Sequence, residues 1–450
     1  MAGSQCKKRG DYQTSSGVEE LIEEKLQELC RLGIKPGLKR ISRLLSALGN
    51  PHRDLRVVQV AGTNGKGSTA LIIARVLSAA GYRTGRYSSP HLHSYCERFE
   101  IDGQIITPDK LHAYLKQVLR VAESLPVADQ PSEFEILTAV ALLYFKEEGI
   151  DVVVLETGLG GRYDATTVAT PLLCAITTVD YDHTSWLGDS LAEIAANKAG
   201  IIKAGIPVVV GPMDEEAWQI IAVRAHSLHS PLLSSAAVSI TSGQPHDLRG
   251  QCISMQAGNH NLQQIWFSLP GAFQLQNLAV AMTALVELEK YSFIITDEYI
   301  KSALGKLHTE GRLEVLSESP LIICDAAHNR QAAQALHSAL AELLPGREKV
   351  LLCGMVDDKD AGGILEYLGS DSKACVVTRP LGQRSQYWQR TAAEWGRLYP
   401  QIPCRQEEDI VKAVELSLSF LSADAYLLLT GSFYVIDKAR QYLLATHCPL

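Results

Sequence analysis

The 450-residue chain is short of aromatic side chains, which make up only 6% of it. Ala, Leu, Val and Gly must fill its core instead, a mix suited to close packing of helices on parallel sheets. Long apolar runs are also missing. No stretch approaches the ~20 residues that a membrane span requires. The N-terminal MAGSQCKKRGDYQTSSG lacks the apolar centre of a signal peptide. There is no surplus of positive charge: 42 basic against 50 acidic side chains leave a formal net charge of -8. Neither nucleic acid nor an anionic membrane surface is drawn to such a field, so neither is expected as a partner. Paired cysteines are absent as well. Cys6, Cys30, Cys96, Cys174, Cys252, Cys324, Cys353, Cys375, Cys404 and Cys448 stand singly, with no Cys-x-x-Cys spacing. That excludes the usual disulfide and metal patterns. Several, such as Cys174, Cys324 and Cys353, lie in apolar strand-like runs, where Cys acts as a small hydrophobe. Free buried thiols and a cytoplasmic location are the expectation.

What is present is ordinary globular composition, 46% apolar and 20% charged, which rules out a disordered or fibrous chain. The length exceeds what one core usually supports, so two domains are expected. Amphipathic helices are predicted over Gly17–Leu32 and Gly37–Pro51. Alternation then sets in: strand Leu55–Ala61, a Gly-rich turn, helix Ser68–Ala80, strand Arg83–Tyr87, helix Glu135–Glu148, strand Asp151–Leu155, and strands Leu172–Thr178 and Ile206–Val210. Short β-branched runs separated by helices indicate a parallel sheet covered on both faces. From Ala236 to Ala272 the pattern changes to antiparallel strands and turns, followed by a helix over Gln274–Leu288. Beyond Lys290–Asp297 the alternation restarts, with strands at Leu321–Cys324, Lys349–Cys353, Ala374–Thr378 and Ala425–Thr430. The fold class expected is α/β: a P-loop-type doubly wound N-terminal domain (1–291) with a small appended β region, and a smaller Rossmann-like C-terminal domain (292–450).

The sharpest motif is AGTNGKGST, Ala61 to Thr69, between a strand and a helix. Backbone N–H groups of such a loop, with the positive end of the helix, make a phosphate cradle. Lys66 would reach the outer phosphates, and Ser68 or Thr69 a magnesium ion. Gly67 separates the lysine from the hydroxyl, unlike the usual spacing, and a plain structural turn is the competing reading. Three more segments follow strands that end on the same rim, where ligands of parallel sheets gather. YSSPH offers Ser88 and Ser89; ETGLGGRYDAT begins with Glu156, placed as an acidic magnesium-orienting residue after a buried strand; DYDHTSWLG carries His183. Singly, each has a blander role as cap, surface carboxylate or rim histidine. Together they point to a metal–phosphate site, in which histidine is the unusual member for a hard ion. In NKAGIIKAG, Lys198 and Lys203 sit at a helix end, where dipole pairing is an equal alternative.

With these motifs in place, the chain resembles the folylpolyglutamate synthase/dihydrofolate synthase family of the Mur ligase superfamily. The motifs GTNGKGS, SSPHLHSYCERFEI, ETGLGGRYDAT, DH…LG, KAGIIK, GRLE and DAAHN occur in order over nearly the whole length. The resemblance implies that Thr63, Asn64, Gly65, Lys66, Gly67 and Ser68 line ATP phosphates, and that Ser89, Glu156 and His183 hold Mg²⁺. It implies a carbamylated lysine at Lys198 as ligand for a second ion. Asn277, Arg312 and Asp325 would contact ATP, and His328 and Ser432 the incoming L-glutamate. Lys66, His183 and Lys198 are the catalytic set so implied. The pattern departs at Asn197, Thr167, Phe273, Thr309–Glu310 and Ala326, where the family usually has Glu, Asn, His, Trp-Pro and Gly. None of these removes a metal or phosphate residue.

The implied activity is an ATP-dependent amide ligase that joins L-glutamate to dihydropteroate or to folyl-(poly)glutamate through an acyl phosphate, working as a monomer. Two other activities use similar motifs. A peptidoglycan-precursor ligase usually carries an extra N-terminal domain, and a P-loop starting near residue 62 leaves little room for one. A nucleotide-binding switch without ligation would fit the changes at Asn197 and Ala326, but not the retention of Ser89, Glu156, His183 and Lys198.

Overall fold

The computed structural model describes residues 16–30, 35–382 and 384–446. The first lobe is built on an eight-stranded sheet. Its strands are β1 (Val57–Ala61), β2 (Thr84–Tyr87), β3 (Phe99–Ile101), β4 (Gln104–Ile105), β5 (Val152–Glu156), β6 (Leu173–Ile176), β7 (Val208–Val210) and β8 (Leu232–Ser234). They lie in the order β4-β3-β2-β5-β1-β6-β7-β8. The pairs from β2 to β8 are parallel, whereas β3 and β4 run antiparallel at one edge. Every residue of β1 and β5 is buried, as expected for parallel strands covered on both faces. Helix Lys66–Ala79 covers one face and helix Glu133–Glu147 the other. The latter starts on a capping box, Ser132 with Glu135, which satisfies two N-terminal groups that the helix leaves unpaired.

The segment expected to be antiparallel forms a three-stranded sheet of β9 (Ser239–Asp247), β10 (Gly250–Ala257) and β11 (His260–Phe267). Its inner residues Ile253, Met255, Leu262, Ile265 and Phe267 join the core under helix Lys66–Ala79. Helix Ala272–Leu288 packs there too, and so do Ile300, Ala303 and Leu304 of helix Asp297–Leu304, which lies beyond residue 291.

The second lobe holds β12 (Glu314–Glu318), β13 (Leu321–Asp325), β14 (Lys349–Cys353), β15 (Ser372–Val377), β16 (Cys404–Gln406) and β17 (Tyr426–Thr430). Their order is β12-β13-β17-β14-β15-β16, parallel except for β12. The α/β class, the appended β region and the smaller second sheet are therefore as read from the sequence; both sheets are mixed at one edge.

Several elements lie outside the sequence reading. Helix Pro108–Glu123 and the β3–β4 hairpin are two of them. Helix Gly37–Pro51 is shorter, Lys39–Ala47, and a 3₁₀ turn takes up Pro51–Asp54. The first helix runs Ser16–Cys30, with residues 31–34 outside the described set. The described cysteines are free; Cys96, Cys174, Cys324, Cys353 and Cys375 are buried. Cys6, Cys448 and the Cys30 side chain lie outside the described residues. Among the described residues, no helix is long and apolar enough to cross a membrane.

Candidate active site

A cleft of about 540 Å³ opens where the carboxyl ends of the two sheets meet. The P-loop follows β1 and enters helix Lys66–Ala79. Gly65 has φ +81°, and a Cβ there would stand 2.1 Å from Asn277 Oδ1 of helix Ala272–Leu288. Only glycine fits that approach in that conformation. Lys66 Nζ folds back to donate to the carbonyls of Gly62 at 3.1 Å and Thr63 at 3.0 Å. The loop is tied to the strand beside it: Thr63 Oγ1 donates to Asp180 O at 3.1 Å, and Asn64 N donates to Thr178 Oγ1 at 3.0 Å.

Ser89, Glu156, His183 and Lys198 all line the same cleft as Lys66. They arrive from the ends of β2, β5 and β6 and from helix Leu191–Lys198. Ser89 N donates to Glu156 Oε2 at 3.3 Å, and the buried Ser89 Oγ has no hydrogen-bond partner in the protein. Burial pushes the Glu156 carboxyl up, with the Lys66 ammonium pulling the other way. Burial likewise lowers Lys66, with Glu156 opposing. His183 has φ 51°, a left-handed conformation that is costly for a non-glycine residue. Burial brings its imidazole down to about 4 against the pull of Asp182, so the ring is neutral at pH 7. Lys198 is fully enclosed, and burial, followed by repulsion from Lys66, lowers its ammonium to about 7. Lys203 instead donates to Thr167 O at 2.9 Å, a structural tie.

These features suit a cation. A buried hydroxyl without a partner, a buried carboxylate and a neutral imidazole are the donor forms a metal ion needs. Among the described residues, no group of three or more His, Cys, Asp or Glu is arranged to hold a metal, so an ion here would rest on this mixed set.

The second lobe closes the cleft with Arg312, Asp325 and His328, and with Phe433 beside Ser432. Asp325 accepts from Leu313 N and Ala327 N, each at 2.9 Å. The Arg312 guanidinium lies 5.1 Å from the Phe433 ring centre. Asn277 Nδ2 donates to Gln274 Oε1 at 2.9 Å. Ser432 is buried in the turn after β17, where its Oγ accepts Tyr434 N at 3.2 Å; it lies outside the cleft lining, as does Thr69, the alternative hydroxyl for magnesium, whose Oγ1 turns to Asn277 O at 3.5 Å.

Sequence reasoning missed the contacts that join the lobes. Asn64 Nδ2 donates to Gln331 Oε1 at 2.6 Å and to Asn329 Oδ1 at 3.1 Å; Asn329 Nδ2 donates back to Asn64 Oδ1 at 3.0 Å. Asp182 accepts from Asn329 Nδ2 at 3.0 Å and from Lys359 Nζ, and His328 Nε2 stands 3.5 Å away. Asp182 and Lys359 side chains are each only 8% exposed, so the pair is buried between the lobes. Burial works against the Asp182 charge, but the His328 hydrogen bond and the Lys359 ammonium hold the carboxyl well below its usual range. Each residue follows a strand end, Asp182 after β6 and Lys359 after β14, but that position alone does not show that the two meet.

Two family models match the chain: the Mur ligase middle domain over residues 60–285, and the Mur ligase glutamate ligase domain over residues 311–433. A dihydrofolate synthase/folylpolyglutamate synthase of Bacillus subtilis is 33% identical over 427 residues, covering 92% of this chain and 96% of that one. This chain belongs to the folylpolyglutamate synthase/dihydrofolate synthase family. It is thereby an ATP-dependent glutamate ligase with Mur ligase middle and C-terminal domains. The Escherichia coli dihydrofolate synthase/folylpolyglutamate synthase is 30% identical, covering 93% of this chain and 94% of that one. Among solved structures, Mycobacterium tuberculosis folylpolyglutamate synthase complexed with ADP superposes with a TM-score of 0.89 at 28% identity, covering 95% of this chain and 98% of that one. E. coli FolC in complex with DHPP and ADP gives a TM-score of 0.84 at 28% identity, covering 95% and 98%.

Proposed function

We propose that this ligase adds L-glutamate both to dihydropteroate and to folyl-(poly)glutamate, with Lys66, His183 and Lys198 as its catalytic residues. The observation that carries the reading is convergence. A P-loop lysine, Ser89, Glu156, His183 and Lys198 from one lobe face Arg312, Asp325 and His328 from the other across one cleft.

A carboxylate is a poor electrophile and needs a leaving group. The acceptor's carboxylate oxygen attacks the γ-phosphorus of ATP; the bond to the bridging oxygen breaks, and ADP leaves. The glutamate amine then attacks the acyl carbon, the phosphate leaves with the bonding electrons, and the amine gives up a proton. The loop Thr63–Ser68 holds the phosphates through backbone N–H groups, and Lys66 offsets charge on the transferred group, an electrostatic role. Asn277, Arg312 and Asp325 hold the rest of the nucleotide. His328 orients the glutamate, with Ser432 behind the cleft lining beside Phe433. Ser89, Glu156 and His183 would hold Mg²⁺, whose charge screens the phosphoryl oxygens. The lowered Lys198 ammonium supplies, near neutral pH, the free amine that adds CO₂ and releases a proton, giving an anionic carbamate for a second ion. Closing the lobes shields the acyl phosphate from water.

We place the hinge at 308–312, and with it the domain boundary expected at residue 291, because helix Asp297–Leu304 packs in the first core.

The deciding assay measures ADP release by the purified protein with dihydropteroate or tetrahydrofolate as acceptor. Release should require acceptor and glutamate together, and Lys66→Ala should lower it by about 100-fold or more. Near-normal turnover of that variant, or hydrolysis indifferent to both substrates, would refute the assignment.

A further inference from the structure

We propose that Lys359 is a positioning residue and a latch: its buried contact with Asp182 helps to hold the second lobe closed and, through Asp182, couples that closure to the placement of His183. The inference builds on the ligase reading for one of its two assays.

The argument starts at the two oxygens of Asp182. Oδ1 accepts the Lys359 ammonium from the second lobe and also the His183 backbone N–H at 2.8 Å. Oδ2 accepts Asn329 Nδ2 at 3.0 Å and faces His328 Nε2 at 3.5 Å. Asn329 is in turn bonded in both directions to Asn64 of the P-loop. One carboxylate thus links the second lobe, the P-loop and the backbone of a cleft residue. His183 sits at φ 51°, and such conformations persist only where neighbours over-determine them. Its carbonyl is held by Trp186 N at 2.9 Å and Leu187 N at 3.0 Å, and its N–H is held by Asp182, the one of these supports that reaches the second lobe. When the second lobe moves away, Lys359 goes with the loop after β14 and Asp182 loses its buried counter-charge. A buried carboxylate left unpaired seeks water or other donors, and its hold on His183 changes with it. Placement of His183 is therefore conditional on closure.

The test is a double-mutant cycle read on glutamate-dependent ADP release. Lys359→Met should lower kcat about 100-fold, the scale of loss for a misplaced active-site group, with a smaller change in KM for ATP. Asp182→Asn should cost a similar factor, and the double variant no more than the worse single one, because the two act as a unit. Lys359→Arg, which keeps a cation, should recover at least tenfold over Lys359→Met. Multiplying losses in the double variant, near-normal kcat in Lys359→Met, or an arginine variant no better than the methionine one would each overturn the latch, with melting curves showing that each variant is folded. The second assay needs no turnover. Small-angle scattering with AMPPCP and Mg²⁺ should show the wild type compacting and Lys359→Met remaining extended; equal compaction overturns the proposal. If the wild type releases no ADP, the ligase reading fails while the scattering result still decides on the latch.

Discussion

Lys198 shows how much a single side chain can be shaped by its enclosure. Its ammonium is held at about 7 by burial and by Lys66, against a free value of 10.5. Between those two values the unfolded chain binds a proton that the folded chain does not. Stability therefore rises with pH across that window. In CO₂-free buffer, the melting temperature of the wild type relative to Lys198→Met should climb as pH is raised from 7 towards 10. A flat difference would show that the amine is not buried as described. Thr167 makes a second residue-scale point. It stands where the family usually has Asn, yet its hydroxyl is well used, donating to Gly161 O at 2.7 Å and receiving Gln59 Nε2 at 3.0 Å. The departure is absorbed by the strand beside it.

At the scale of elements, the P-loop is the most constrained segment. Gly65→Ala would force a Cβ to within 2.1 Å of Asn277 Oδ1 in a conformation L side chains rarely adopt. The loop must then move relative to helix Ala272–Leu288, and nucleotide affinity should drop at least about tenfold, the equivalent of one to two kcal/mol of backbone strain. Titration with a fluorescent ADP analogue would measure it. This loop was legible in the sequence because its glycines, lysine and flanking strand and helix are contiguous. So were β1, β5 and β14, short and mostly apolar runs of which β1 and β5 are rich in valine, a strand former. Helix Pro108–Glu123 was not read, although Thr107 caps it by accepting Lys110 N and Pro108 opens it. Its buried face, Leu111, Leu115, Val118 and Ala122, keeps the spacing of four, three and four that a helix requires, so the signal for it is present in the sequence. The β3–β4 hairpin is too short to carry an alternation at all. Asp182 and Lys359 were invisible for another reason: 177 residues separate them, and nothing local to either marks the partner.

At the scale of the molecule, the two lobes face one cleft and have largely their own cores, although Leu92 of the first lobe is buried among second-lobe residues and Leu248 and Phe273 pack against them. A nucleotide held by Lys66 on one side and Arg312 and Asp325 on the other should couple their unfolding. Calorimetry with saturating ADP should show one merged transition, raised by about 2.7 kcal/mol of stabilisation at a hundredfold excess over Kd. A shift confined to one lobe would mean that the other makes no contact. The class of fold and the first lobe's half of the site could be read from the chain because each strand end carries its own residue. How the second lobe sits on the first could not, since that depends on Asn64, Asn329 and Gln331 meeting across the gap. Among the described residues the backbone passes from one lobe to the other just once, between residues 307 and 313. The enzyme is accordingly built like a clamshell on one tether, not a ring. Everything else that keeps the shell shut, Asn64 on Asn329 and Gln331, Asp182 on Lys359, His93 on Asp437 and Gln441, is non-covalent and must part to let a lengthening acidic tail in or out.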